Sequence, residues 1–588
     1  MKNLNINIFS ILIIGFVYGN PIETDYNLPD NFPEINITIV DNPDSGYLFL
    51  CAYLMSSTPF SLGNYMMILN NDGSPVFFKE MQYKALDFKV QSSDLLSFIG
   101  KNDNNYHCGT VYLMDTTYAV VDTFRIQGYC TDRHDVQVLP NGNVLLLGKI
   151  TQQVNMSHIV LGGKSNASVT GCIIQEQDQD KNVVFEWNSF DHYNILDAVH
   201  EDLTERSIDY VHANAIELDS DGHILLSSRH LDEITKIDRN SGAIIWRLGG
   251  LNNQFTFVND DTSSQQHAHS PFCYQHDIRR LENGNITIYD NGNYKDSSYT
   301  RIAEYELDEQ NLIATLVWEY RSTPDRFCHF VGNAQRLPNG NTMSIWNGES
   351  FPTTITEIRP DCTKAFEMNF PEVIDNNGNK IGVFNYRAFR SEWQGRAVKP
   401  YLWKNFTYNS LSLNFVQFGD SSIVQYKIYQ GLSEDSLYVI DSTSHNYLNL
   451  YGLSPGQKYY FQVSSINSDD NESPMSNMID FRAISPQSID IDEIVPDHYI
   501  LHQNHPNPFN PVTTIQYDLP ENSRINLNVY DLLGRKVREL VNDYQPAGTK
   551  SVIWNGTNDQ GAAVSAGVYL FQIQAGEFVQ TKKMVLLK

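Results

Sequence analysis

The sequence predicts an all-β protein: a six-bladed β-propeller followed by two small β-sandwich domains. Three observations lead to this prediction. A phrase of the form Leu-x-Asn-Gly-Asn recurs along the chain. The composition is rich in strand-forming aromatic residues, with 33 Tyr and 30 Phe. A chain of 588 residues is also too long for one ordinary core, so several domains are expected.

The propeller is predicted over residues 30–385 from an internal repeat. Two weaker copies, at 46–80 and 86–124, bring the number of units to six. Asn-Gly and Asp-Gly turns close short antiparallel hairpins, and a β repeat of about 40 to 80 residues is typical of propeller blades. The four clear copies are HDVQVLPNGNVLLLG (134–148), HANAIELDSDGHILLSS (212–228), HDIRRLENGNITIYD (276–290) and GNAQRLPNGNTMSIWN (332–347).

The repeat brings histidines to matching positions at the predicted central channel. The innermost strand of each blade lines this channel, so residues that precede the turn in successive blades converge. His134 and His276 both lie five residues before the Leu of the phrase. His212 lies six before it, so it needs a β-bulge or a different approach to reach the same place. The matching residue of the last copy is Gly332, which offers no side chain.

Two sandwich domains are predicted after the propeller. Residues 396–483 resemble a fibronectin type III domain through a tyrosine-corner pattern at Leu453, Pro455, Tyr459 and Val463. A polar linker at 484–499 leads to a module at 500–588, which alternates strands with Gly turns. This module resembles the C-terminal sorting domain of the type IX secretion system, through NPFNP (507–511), YDLLGR (530–535) and GVYL (567–570). The resemblance implies export across the outer membrane of a diderm bacterium, with the secretion machinery as a partner and removal of the tail afterwards.

The net charge and the N-terminal sequence limit the binding partners and the cellular location that can be expected. A net charge of −28 disfavours binding to nucleic acid and to anionic membranes. Residues 1–19 have the pattern of a cleaved export signal, and no later stretch is apolar enough for a membrane span, so a secreted or cell-surface protein is expected. Among the seven cysteines, Cys108/Cys130 and Cys273/Cys328 are the candidate disulfides. The oligomeric state stays open, a homodimer included.

The propeller region resembles the arylsulfotransferase family. The residues that carry the resemblance are His134-Asp135, DYVHAN (209–214), WRLGG (246–250), QHD (275–277), Arg301 and the repeated LPNGN phrase. It implies transfer of a sulfuryl group from an aryl sulfate ester to a phenol, through a sulfated histidine in a ping-pong mechanism. Neither a nucleotide sulfate donor nor another cofactor is implied.

The resemblance also assigns roles to individual residues. His276 is expected to act directly on the sulfuryl group, His212 to act as acid or base towards the phenol, and Arg301 to clamp the sulfate oxygens. His134 is a further catalytic candidate. The candidates for substrate binding are Asn214, Asp277 and Asn333.

Several alternatives stay open at this point. The family's better-studied members place the covalent nucleophile on a later blade than QHD, where this chain has Gly332; His276, His134 or His329 are the candidates to replace it. A non-catalytic propeller that binds a ligand or serves in adhesion is the main alternative, and Gly332 favours it. A metal site of three histidines ranks lower, because the charge of Arg301 would oppose a cation. His230 is expected at the surface.

Overall fold

The computed structural model describes most of the chain, namely residues 27–54, 62–91, 94–102, 105–260, 270–348, 351–374, 380–407, 410–483, 498–504, 507, 509–576 and 578–587. The predicted signal peptide at 1–19 lies outside these residues, as does most of the predicted linker at 484–499. Within the described ranges the chain is almost entirely β-structure, which confirms the predicted fold class. The helical elements found there are four short 3-10 turns: Met156–His158, Ser189–Asp191, Ile195–Asp197 and Arg229–Leu231.

Six antiparallel sheets form the blades of a propeller. The innermost strands of neighbouring blades contact one another in a ring, which defines the central channel. The strands of each blade are given from the innermost outwards. Blades 1 to 3 are Phe389–Ser391, Tyr47–Leu54, Asn64–Leu69, Pro75–Met81 (blade 1); Leu86–Val90, Leu96–Asn102, Asn105–Met114, Val120–Phe124 (blade 2); and Cys130–Val138, Val144–Val154, Ala167–Gln177, Val183–Asn188 (blade 3). Blades 4 to 6 are Ala213–Leu218, Ile224–Ser228, Glu233–Ile237, Ile244–Gly249 (blade 4); His276–Arg280, Ile286–Asp290, Arg301–Asp308, Ile313–Arg321 (blade 5); and Ala334–Arg336, Thr342–Gly348, Phe351–Ile358, Lys364–Asn369 (blade 6).

The ring of blades is closed by strands from both ends of the propeller segment. Strand Asn36–Val40 is the outermost strand of blade 6, and Phe389–Ser391 is the innermost strand of blade 1. The closing strand therefore lies just beyond the boundary predicted at residue 385. Five short strands complete the described part of this region: Ser207–Asp209 beside blade 3, Thr256–Val258 on blade 5, Val383–Phe384 on blade 1, and the hairpin strands Val373–Ile374 and Lys380–Ile381.

The blades are held by apolar strands that are covered on both faces. Strand Tyr47–Leu54 shows this best, since every residue after its first is buried. Such strands read as continuous apolar runs and lack the alternation of a half-exposed strand. The Cys108–Cys130 disulfide joins blades 2 and 3, as predicted. The second predicted pair is wrong, because Cys273 and Cys328 are both free and buried.

Gly332 is required by packing. Its φ is +117°, and a Cβ there would lie 2.2 Å from Cε1 of Tyr289. We expect Gly332→Ala to lower the free energy of unfolding by about 3 kcal/mol or more, through backbone strain and overpacking combined. Gly284→Ala is the matched control, since its φ is +89° and nothing lies within 4 Å of the place its methyl group would take. Equal losses in thermal unfolding midpoint for the two variants would contradict the steric explanation.

The chain divides into two compact units. The first comprises residues 1–452 with 460–480, and the second 453–459 with 481–588.

A seven-stranded sandwich follows the propeller, and its aromatic residues Trp403 and Phe418 pack edge-on against Phe78 of blade 1. Its two sheets are Tyr401–Thr407, Ser410–Val416, Tyr447–Tyr451 and Ser436–Thr443, Ile423–Ser433, Lys458–Asn467, Ile479–Arg482.

The tyrosine corner predicted at Tyr459 is present, because its hydroxyl accepts a hydrogen bond from the backbone amide of Ser454 at 2.9 Å. A second sandwich is built on a core that includes Trp554 and Phe571. Its sheets are Ile500–Leu501, Thr513–Leu519, Gly548–Trp554 and Lys536–Gln545, Ser523–Asp531, Gly567–Ala575, Phe578–Leu586. Among the described residues, no helix has the length and apolarity needed to cross a membrane.

Candidate active site in the propeller channel

Local irregularities in three innermost strands carry the predicted histidines. In blade 3, Thr131 pairs with Gly148 and Val136 with Leu146, so the segment around His134 bulges out of the ladder. Blade 4 has a register shift between Ala213 and Ala215, next to His212. The bulge expected for His212 is therefore present, and its φ of +47° turns the side chain out of the strand.

The three predicted histidines lie close together. The ring centroids of His134 and His212 are 5.0 Å apart. His276, on a bulge in blade 5, is only 2% exposed, and the neighbouring rings of His134 and His212 contribute to the lowering of its pKa. A fourth ring joins them, since His230 lies 4.6 Å from His212. The expectation that His230 is a surface residue is wrong: it is 8% exposed, because a 3-10 turn folds it inward.

The hydrogen bonds of His276 define its tautomer. The side-chain amide of Asn291 donates to the carbonyls of Cys328, at 2.7 Å, and Val331, at 3.0 Å. Its Oδ1 therefore faces Nδ1 of His276, at 2.8 Å, and accepts a proton from it. Nε2 is left as the nitrogen with the lone pair. Burial, aided by the charge of Arg229, holds the pKa of His276 well below its usual value, so the ring is neutral at neutral pH, the form in which an imidazole nitrogen can act as a nucleophile.

The other two predicted histidines pair with carboxylates. Nδ1 of His134 contacts Asp132, and Nδ1 of His212 lies 3.0 Å from Oδ2 of Asp209. A carboxylate on Nδ1 supports an imidazolium, which suits proton transfer at Nε2. Burial nevertheless lowers the pKa of His212 to about 4. At neutral pH this ring is therefore a base.

This burial makes folding sensitive to acid. The unfolded chain binds a proton at His212 below about pH 6.5, whereas the folded protein resists it down to about pH 4. The free energy of unfolding should therefore fall as pH drops through this window, by about 1–3 kcal/mol. Denaturant unfolding at several pH values measures this loss, and His212→Asn should reduce the dependence of the free energy of unfolding on pH. His223 gives the control, since its side chain is 25% exposed, like that of His212, but lies outside the cluster beside Asp238. An equal reduction in His223→Asn would contradict this origin.

The cation of the cluster is Arg229. Its Nη1 donates to Nε2 of His230 at 2.8 Å, its Nη2 donates to the carbonyl of His329 at 3.0 Å, and its guanidinium carbon lies 3.9 Å from the ring centroid of Tyr274. Its Nε is buried without a hydrogen-bond partner. The charge of Arg229 acts on His276. A guanidinium with an unused donor beside neutral imidazoles is suited to bind an oxyanion.

Arg301, which was predicted to clamp sulfate, is bound by carboxylates. It is 3% exposed within blade 5, where its guanidinium contacts Asp260 at 2.7 Å, Asp290 at 2.9 Å and Glu319 at 2.9 Å. Three carboxylates already neutralise it and occupy its donors. Arg229, which keeps an unused donor, is therefore the more available candidate for binding an anion.

The three predicted substrate-binding residues mainly join neighbouring blades. Asn333 both donates to and accepts from the backbone of Ala388, at 2.7 and 3.2 Å, so its nitrogen and its oxygen are both hydrogen-bonded. Asp277 accepts from the backbone amide of Ala334 at 2.8 Å. Asn214 donates to the carbonyl of Gln275 at 2.7 Å, but its Oδ1 is buried without a partner. Oδ1 of Asp277 is also buried without a hydrogen-bond partner, but it lies 2.7 Å from the guanidinium of Arg279, so Asn214 has the more available acceptor.

An ion network lies under the histidines and was not predicted. Arg387, fully buried, contacts Asp87 at 3.0 Å, Asp135 at 3.2 Å and Asp277 at 3.4 Å, which belong to three different blades. Asp135 also accepts from the backbone amide of Ile216 in blade 4. The recurring His-Asp pair thus has a divided role: the histidine belongs to the channel cluster, and the aspartate ties its blade to its neighbours.

The geometry does not favour a metal at this site. Asp209, His212 and His230 have ligand atoms within 4.8 Å of one another. Arg229 donates to Nε2 of His230, so Nδ1 of that ring carries the proton and donates to the carbonyl of Asp209. A protonated nitrogen is no ligand, and the guanidinium beside it opposes a cation.

The fold and this cluster define a class of protein: a β-propeller with histidines and an arginine clustered beside its innermost strands. A sequence profile of the arylsulfotransferase (ASST) family matches residues 51–380, more than half of the chain. The protein therefore belongs to the arylsulfotransferase family, which supports sulfotransferase activity on small molecules. A profile of the FlgD Ig-like domain matches residues 511–577, within the second sandwich.

Solved structures resemble the chain only distantly, and no curated protein matches it significantly. A Bacteroides caccae protein of unknown function is 13% identical, with 58% of this chain and 99% of that one covered at a TM-score of 0.34. PorZ, a surface component of the type IX secretion system of Porphyromonas gingivalis, is 11% identical over 90% and 68%, with a TM-score of 0.25. Virginiamycin B lyase of Staphylococcus aureus is 11% identical over 66% and 97%, with a TM-score of 0.28. None of these likenesses bears on function.

Proposed function

We propose that the protein is an exported aryl sulfotransferase that moves a sulfuryl group from an aryl sulfate ester to a phenolic acceptor through a covalent intermediate on His276. The observation that carries the proposal is the buried, neutral His276, whose Nδ1 proton is held by Asn291 while the charge of Arg229 acts on the ring. His276 is preferred to His134 as nucleophile because His134 is paired with a carboxylate.

The first half-reaction forms one bond and breaks one. Nε2 of His276 attacks the sulfur of the aryl sulfate, the bond from sulfur to the aryl oxygen breaks, and a phenolate leaves. Nδ1 keeps its proton, so the intermediate is a sulfated imidazolium whose positive charge faces the Asn291 oxygen. Arg229 binds the sulfuryl oxygens, where charge develops in the transition state.

The second half-reaction regenerates the enzyme. His212 accepts the proton of the acceptor phenol, the phenol oxygen attacks sulfur, and the bond from sulfur to Nε2 of His276 breaks. His212, whose pKa is about 4, then gives this proton to solvent. The released phenolate takes up one proton from solvent, so the protons balance over the cycle. The carboxylate of Asp209, 3.0 Å from Nδ1, supports His212 in its charged state.

The test uses donor alone before any acceptor is added. The mature chain is mixed with a chromogenic aryl sulfate, and intact-mass spectra should show one added sulfuryl group together with a burst of phenolate. Adding a phenol should remove the label and form the new ester. A protein that binds the donor without label or burst is the non-catalytic propeller. The feature that favoured that alternative, Gly332, has a steric explanation in Tyr289.

Export through the type IX system is a separate part of the proposal. The supporting features are the N-terminal signal pattern and the tail at residues 500–588, with its NPFNP and YDLLGR phrases. We propose that the mature enzyme is secreted or displayed on the surface of a diderm bacterium after removal of both segments. Deletion of 500–588 should retain the protein inside the outer membrane, and unchanged secretion of the deleted form would contradict this route.

A further inference from the structure

The segment that carries Arg229 is a short 3-10 turn, Arg229–Leu231, which follows the buried strand Ile224–Ser228. The turn is pinned beside His212. The amide of Arg229 donates to the carbonyl of His212 at 3.2 Å, and the amide of His230 donates to the carbonyl of Val211 at 3.1 Å. Arg229 and His230 thus have fixed backbones, and the orientation of the guanidinium depends on its side-chain contacts.

His230 supplies one of these contacts in one defined tautomer. A guanidinium has five donors and no acceptor, so Nε2 of His230 accepts the bond from Nη1 of Arg229. The ring proton is therefore on Nδ1, where it bonds the carbonyl of Asp209. A second proton, on Nε2 of His230, would place an N–H donor against the Nη1–H donor of Arg229 and break this hydrogen bond. The neutral ring is favoured because burial lowers the pKa of His230.

The three contacts of Arg229 are uncharged. They are an imidazole nitrogen, a backbone carbonyl and the face of Tyr274. Arg301 offers the contrast, since carboxylates surround it and cancel its charge. An arginine that is oriented by neutral partners keeps its positive charge for a ligand, and the free Nε shows that a donor is left over.

We propose that His230 is a positioning residue for anion binding: its neutral, Nδ1-protonated ring holds Arg229 towards the sulfuryl group, and protonation of the ring releases Arg229. This inference rests on the proposed function and adds a pH-controlled element to it. The other ionisable groups around His230 are Asp209 and Glu201, whose Oε1 is 3.5 Å from Nδ1, together with His212 and Tyr274.

The proposal predicts an unusual pH dependence. Protonation of histidines near an anion ordinarily tightens anion binding. Here, protonation of His230 should weaken it, because the arginine loses its orienting acceptor. Titration calorimetry of inorganic sulfate with the full mature chain, from pH 7.5 to pH 4.5, measures this without requiring any chemistry.

Two substitutions test separately whether His230 acts as a hydrogen-bond acceptor and whether its protonation weakens sulfate binding. His230→Leu removes the acceptor and should weaken sulfate binding roughly 10- to 100-fold at pH 7.5. His230→Gln keeps a hydrogen-bond acceptor that cannot be protonated. Its affinity for sulfate should be within about threefold of the native value at pH 7.5, and this affinity should not fall at acidic pH. His223→Gln, on the same blade and paired with Asp238, is the matched control and should behave as the native protein.

Each outcome decides the proposal. Native affinity in His230→Leu overturns it, and so does an acid weakening that persists in His230→Gln or an absence of sulfate binding by the native protein. If His230→Leu loses its native fold, His230→Gln alone decides. Failure of the proposed function looks different: the native protein would bind sulfate with the expected pH dependence yet show no sulfated histidine with an aryl sulfate donor.

Discussion

Replacing His276 with alanine should lower sulfuryl transfer by roughly 10⁴- to 10⁶-fold, the loss expected when a covalent nucleophile is removed. Nε2 of His276 is the buried lone-pair nitrogen of a neutral ring, and alanine offers nothing in its place. Turnover of a chromogenic aryl sulfate with a phenol acceptor measures the loss. Intact-mass spectra with donor alone should show no sulfuryl group on this variant.

His134→Ala is the matched control for that experiment. It removes a neighbouring channel histidine that is paired with Asp132, so turnover should fall while the sulfated intermediate still forms on donor alone. Peptide mapping of the native intermediate should place the label on His276. A label that survives His276→Ala and disappears in His134→Ala would assign the nucleophile to blade 3 instead.

Replacing Arg229 with methionine should lower kcat/KM by roughly 10²- to 10³-fold, because one preorganised cation at the developing charge is lost. Methionine keeps much of the side-chain length and its contact with the Tyr274 face. Arg229→Lys should recover only part of the activity, since an ammonium lacks the planar fork that binds two oxygens. Steady-state kinetics together with sulfate binding measure both effects.

Arg301→Lys gives the comparison that tests the assignment. Its guanidinium is enclosed by Asp260, Asp290 and Glu319, so the main effect should be on stability. At a temperature where this variant is folded, sulfate affinity should match that of the native protein. A folded Arg301→Lys with a larger loss of sulfate binding than Arg229→Lys would return the clamp to Arg301.

Hairpin register was the signal that could have revealed Arg229 beforehand. The turn after Leu218 pairs that residue with Ile224, and the ladder continues to Ala213 opposite Ser228. The next residue outward on each side is His212 and Arg229. Plain counting through the hairpin would pair His212 with His230, and the one-residue bulge between Ala213 and Ala215 moves Arg229 to the place opposite His212. Arg301 follows a different hairpin, in blade 5.

The sequence by itself determined the blade count, the tyrosine corner and the convergence of His134, His212 and His276. These depend on local turn chemistry and on a repeat whose copies must occupy equivalent places around one axis. Tertiary structure decided which cation is available, which tautomer His276 adopts, and that Asn333 and Asp277 join blades. The physical reason is that the charge and hydrogen-bonding state of a buried side chain depend on groups brought to it from other blades or distant loops, such as Asn291 for His276 or the three carboxylates around Arg387. No local pattern records those neighbours.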